Sequence, residues 1–145
     1  YSKHEMQRAN VYANELAEVR KMMNFMMNAE LALERVALRL RTITQLGNVT
    51  AVLAPISKVL QNIRTSVIGI FPGAEREFSE ISALLDEIMV EAGQTTGIMP
   101  DFEVASEEAQ KILNEAAIVA EQRMKEKFPE LPALKTTYEK LGESR

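Results

Sequence analysis

Forty-six residues pass at the start of this chain without a proline or a glycine. Within them Leu16, Val19, Met22, Met26, Ala29, Leu33, Val36, Leu40, Ile43 and Leu46 recur three or four positions apart, which places them on one side of a helix. Glu15 and Glu18 lead and Arg35, Arg39 and Arg41 trail, the polarity that a helix dipole favours. The spacing predicts one amphipathic helix over about 5–46. At 1.5 Å per residue it is about 60 Å long, whereas a compact chain of this length is roughly 40 Å across. An elongated molecule follows.

The rest is helical too. Leu53, Ile56, Leu60, Ile63, Val67 and Ile70 form a second run, in which Pro55 must kink the helix or begin it. The tripeptide FPG at 71–73 is a firm break. Beyond it Ala74, Phe78, Ile81, Leu85, Ile88 and Ala92 alternate by four and three, the spacing of a helix–helix seam. GQTTGIMPD (93–101) reads as a loop, and Ser106 as the N-cap of a helix running to about Phe128. A linker and a short C-terminal helix are expected over 129–145. No strand pattern and no repeat occurs, so the fold class is all-α: a helical core over 1–128 in which shorter helices pack back on the long one or extend from it.

A fully buried aliphatic side chain contributes ~1.5–3 kcal/mol, against a net stability of ~5–15 kcal/mol for a domain. The ten-residue stripe therefore cannot stay in water. Met23, Met27, Leu31 and Leu38 lie off it, on a second face that one returning layer of helices would leave uncovered. Four methionines and a phenylalanine occupy the six positions 22–27, and flexible thioethers suit a surface that adapts to its partner.

Charge is distributed in blocks. Residues 35–74 contain no Asp or Glu but carry Arg35, Arg39, Arg41, Lys58 and Arg64, whereas 75–126 hold thirteen acids and four bases. The two blocks can attract each other within one chain or between copies, and the alternative partner of the basic surface is anionic lipid. With no cysteine, disulfides and thiol chemistry are excluded. His4 is the sole histidine, so a Glu-x-x-His di-iron bundle is excluded, and Glu30/Glu34 and Glu87/Glu91 read as solvated carboxylates. Gly69 and Gly73 lack the Lys-Ser/Thr of a phosphate loop. No enzyme and no cofactor is expected. The basic block lacks interleaved aromatics, so no nucleic acid is expected either.

YANELAEVRKM (12–22), ALERVALRLRTI (32–43), LAPISKVLQNIR (53–64) and FSEISALLDEIMVEAG (78–93) stand in order along the chain. In these blocks it resembles the archaeal cell-division protein CdvB and its paralogues, the archaeal branch of the ESCRT-III family. The likeness covers about 8–93 and continues more loosely through 106–128. It implies a helical core, polymerisation into filaments alone or with paralogues, and remodelling or constriction of membrane at cell division. It also implies disassembly by an AAA ATPase, and a cytoplasmic location on the anionic membrane surface of the division site, directly or through an adaptor. The Tyr12 block aligns with the family's second helix, so a fragment lacking the first core helix is expected. Met23, Met27, Leu31 and Leu38 would face that helix or a neighbouring subunit. Phe128, Pro129, Leu131 and Pro132 partly match the motifs by which family members bind the ATPase. Gly47 and Asn48, with Phe71, Pro72 and Gly73, are the expected hinges between folded-back and extended forms. The alternative reading is a monomeric helical adaptor that binds one partner helix.

Overall fold

A computed structural model describes residues 2–128, which form four α-helices and no strand. They are α1 (Ser2–Leu40), α2 (Val49–Ile70), α3 (Glu75–Thr96) and α4 (Phe102–Lys127). Short 3-10 turns at Leu46–Asn48 and Pro72–Ala74 separate the first three. The chain reverses at both, so α2 packs back on α1 and α3 back on α2.

Helix α2 holds the fold together because it is apolar on nearly every side. Leu53, Ile56, Val59, Leu60, Ile63 and Val67 are all buried, and α2 touches each of the other helices. Pro55 lies inside α2 rather than at its start. Helix α4 packs against both α1 and α2 through Ala105, Ala109, Ile112, Ala116 and Ala120, a mostly alanine stripe that lets helix axes approach closely. Helix α3 packs on α2 alone among the helices.

Three boundaries differ from expectation. Helix α1 ends at Leu40, not near 46, because Thr42 closes it: its hydroxyl and its N–H both donate to the Arg39 carbonyl, at 2.6 and 3.0 Å. Helix α3 continues through Gly93 to Thr96, where the Thr95 and Thr96 hydroxyls bond back to the Glu91 and Ala92 carbonyls. Buried Ala92 anchors this last turn, which outweighs the ~1 kcal/mol helical cost of glycine. The stop comes at Gly97, whose φ of 71° is the left-handed conformation that glycine adopts without strain. The N-cap of α4 is Asp101, not Ser106; the N–H groups of Glu103 and Val104 donate to its carboxylate. Ser106 lies inside the helix, its hydroxyl donating to the Phe102 carbonyl.

The α3 seam is half as expected. Phe78, Leu85 and Ala92 turn inward with Met89, but Ile81, Leu84 and Ile88 are exposed, because α2 and the two 3-10 turns at its ends cover one side of this helix. The short helix expected beyond residue 132 lies outside the described residues.

Candidate self-assembly surface

Helix α1 carries two apolar faces, and the described residues cover one. The covered face is Ala29, Leu31, Ala32 and Val36, with Met27 packed against its edge. The uncovered face is a stripe of Tyr12, Leu16, Val19, Met23, Met26, Leu33 and Leu40, in which steps of four and three alternate and only Glu30 adds a charge. Tyr12, Leu16, Val19, Leu33 and Leu40 are exposed, and Met23 and Met26 half-buried. Residues 2–19 are exposed throughout, so about 27 Å of helix stands clear of the core.

This reverses the expected assignment. Leu31 was expected on the open side and is 3% exposed; Met27 lies against the core and Met23 is half-buried. Of that set only Leu38, at 58%, stands open. Most of the stripe expected to be covered, from Leu16 to Leu40, is the one in solvent; Ala29 and Val36 are the exceptions. The cause is the size of the contacting residues. The alanines of α4 can come close only where α1 also presents small side chains, and Ala29 and Ala32 rotate that side of α1 inward.

The methionines sit where the cover ends. Val19, Met22, Met23, Met26, Met27 and Glu30 line a cleft of about 340 Å³ with Ile70, the last residue of α2. Beyond Ile70 nothing from α2 accompanies α1. The Lys21 ammonium lies 5.9 Å from the Phe25 ring centroid, next to this cleft in sequence.

Basic and acidic segments meet within the chain. Arg35 pairs with Glu115 at 3.4 Å and Arg39 with Glu108 at 3.0 Å, tying α1 to α4, while Arg64 pairs with Glu75 at 3.3 Å across the second turn. Arg41 is exposed at the first turn, and Lys58 lines a groove of about 650 Å³ between α2 and α3 together with Asp86. The Arg39 guanidinium, with Lys111 second, holds the Glu108 carboxyl below its ordinary value of 4.5. A lowered acid stabilises the folded state above its ordinary value, and that contribution fades as pH falls through the lowered one. Docking of α4 is therefore expected to loosen below pH 4.5, seen as faster amide exchange in α4. Glu108→Gln should blunt that acid dependence while the Arg35–Glu115 pair stays in place.

Gly47 and Asn48 share the first 3-10 turn; Phe71 caps α2, and Pro72 and Gly73 lie in the second. Both expected hinges are thus reversals in this folded-back form. Phe128 is half-buried at the end of α4, and Pro129, Leu131 and Pro132 lie outside the described residues. Among the described residues no cluster of three His, Cys, Asp or Glu side chains could hold a metal, and no helix is long and apolar enough to cross a membrane.

Three curated proteins of Sulfolobus acidocaldarius are similar to the chain. Cell division protein B1 is 46% identical over 129 residues, which are 89% of this chain and 60% of that protein. Cell division protein B is 34% identical over 128 residues, 88% of this chain and 49% of the relative. Cell division protein B3 is 32% identical over 123 residues, 81% of this chain and 68% of the relative. No protein-family model matches the chain, and no solved structure matches it significantly.

Proposed function

Because the chain belongs to the family of the archaeal cell division protein B, we propose that it is a structural, non-catalytic protein of cell division that assembles into filaments. The chain spans 60% and 49% of the first two relatives, so the activity of the whole protein is part of this reading. In it the filaments are of ESCRT-III type, act on membrane at the division site, and are taken apart by an AAA ATPase.

One observation carries the proposal. The open stripe on α1 extends from Tyr12 to Leu40 with the heptad-like spacing of a helix-pairing seam; its Tyr12, Leu16, Val19, Leu33 and Leu40 are exposed among the described residues, and only Met23 and Met26 are half-buried. A second helix along that seam would remove its leucines and methionines from water, and in this reading a neighbouring copy supplies it. The Arg35–Glu115 and Arg39–Glu108 pairs are half exposed, which makes them weak, salt-sensitive latches rather than permanent ties. Opening of α4 would release both arginines and the alanine-lined face beneath.

The test is direct imaging. The purified chain, concentrated at low and at high salt, is examined by negative-stain electron microscopy and by pelleting. Filaments whose yield changes with ionic strength are expected. Dispersed single particles under every condition would overturn the filament reading, and capture of one partner helix by such particles would favour the adaptor.

A further inference from the structure

A surface that only pairs with itself closes into a dimer, whereas an open filament needs two different surfaces that fit each other. The described residues carry such a pair away from the α1 stripe. The first is the outer side of α3. Ile81, Leu84 and Ile88 lie along one face of this helix, with Leu84 at 55% exposed, and no other helix lies near them. Glu77, Glu80, Glu87 and Glu91 follow one edge of this face at helical spacing, all exposed. Among the described residues, Glu80 is the one of these four with an ion-pair partner, Arg76.

The second is the turn between α1 and α2. It exposes Leu38 and Leu46 together with Arg41, which has no ion-pair partner among the described residues. No carboxylate occurs between residues 35 and 74, so Arg41 has no acidic neighbour within the turn's own segment.

We propose that the α1–α2 turn of one copy docks on the outer face of α3 in a second copy, with its leucines against Ile81, Leu84 and Ile88 and Arg41 against the glutamate edge. Apolar contact supplies the attraction, and the charges set orientation and partner. This rests on the filament reading, since it supplies the second contact that growth requires.

The chain lacks cysteine, which makes a crosslinking test clean. A full-length double variant, Leu46→Cys with Leu84→Cys, is oxidised under assembly conditions and run on a non-reducing gel. Both positions are half or more exposed, so folding should be unaffected. Dimers and longer ladders are expected, absent when either cysteine is moved to exposed Ile118. Charge reversal gives an independent measure. Arg41→Glu and Glu87→Lys with Glu91→Lys should each cut assembly about tenfold, and mixing the two variants should restore part of it. Filaments that form without the crosslink and ignore the charge reversals would overturn this contact while sparing the filament reading. A chain that never associates would overturn both.

Discussion

Ile56→Ala is expected to destabilise the chain by about 2–5 kcal/mol, the range for emptying a packed aliphatic site. Ile56 has no exposed surface and sits near the middle of α2, the one helix that touches the other three. A cavity there therefore weakens every helix pair that α2 joins, and neighbouring side chains have little freedom to fill it. At ~2–4 °C per kcal/mol for a chain of about this size, the melting temperature should fall by roughly 4–20 °C. Ile118→Ala is the matched control. The same atoms are removed from the outer face of α4, where Ile118 is exposed, and the change should stay within ~0.5 kcal/mol. Thermal melts followed by circular dichroism compare the two. Equal losses at both positions would mean that α2 is not the centre of the fold.

Leu16→Glu with Val19→Glu should do the opposite, sparing the fold and removing assembly. Both residues are exposed on the part of α1 that stands clear of the core, so the melting temperature should scarcely change. In the assembled state each would be covered, at ~1.5–3 kcal/mol apiece. Losing both weakens association by roughly 10²- to 10⁴-fold, before the cost of placing carboxylates in a seam. Pelleting of filaments measures the loss. A variant that assembles as well as the parent would show that the outer side of α1 is not a contact.

Residue patterns gave a sound account of fold class and of the breaks between helices. Uninterrupted helical spacing in α1, the FPG break and the apolar run of α2 are strong local signals, and each matches an observed element. What could not be read was which side of α1 faces inward. Counting large apolar residues merges Leu16, Val19, Leu33 and Leu40 with Ala29 and Val36, although the first four face solvent and the last two are buried. Hydrophobicity favours the larger side chains, but packing selected the smaller ones, because α4 approaches through alanines. The usable signal was the alanine stripe of 105, 109, 116 and 120, which calls for a small-residue partner such as Ala29 and Ala32. Arg35 and Arg39 flank that same side, and their partners Glu108 and Glu115 stand one face away on α4. Long-range charge blocks therefore indicated attraction between segments without naming the pairs. Boundary errors have local causes: Thr42 ends α1 through its hydroxyl, and Gly93 stays helical because tertiary packing outweighs its propensity.

The exposed residues of α3 show the same limit from the other side. Ile81 and Ile88 have the spacing of a buried seam, yet among the described residues α3 has one α-helical neighbour, with the two 3-10 turns at its ends, and that layer covers a single face. Amphipathic spacing records that a face is to be covered. It does not record whether the cover belongs to the same chain.

Sedimentation velocity over a wide concentration series tests the central claim most directly, namely that the outer side of α1 is sheltered by another copy. The account predicts a boundary that moves to larger species as concentration rises, and that collapses to the monomer when Leu16 and Val19 are replaced by glutamate. A parent chain that sediments as one monomeric species at every concentration, indistinguishable from that variant, would contradict it.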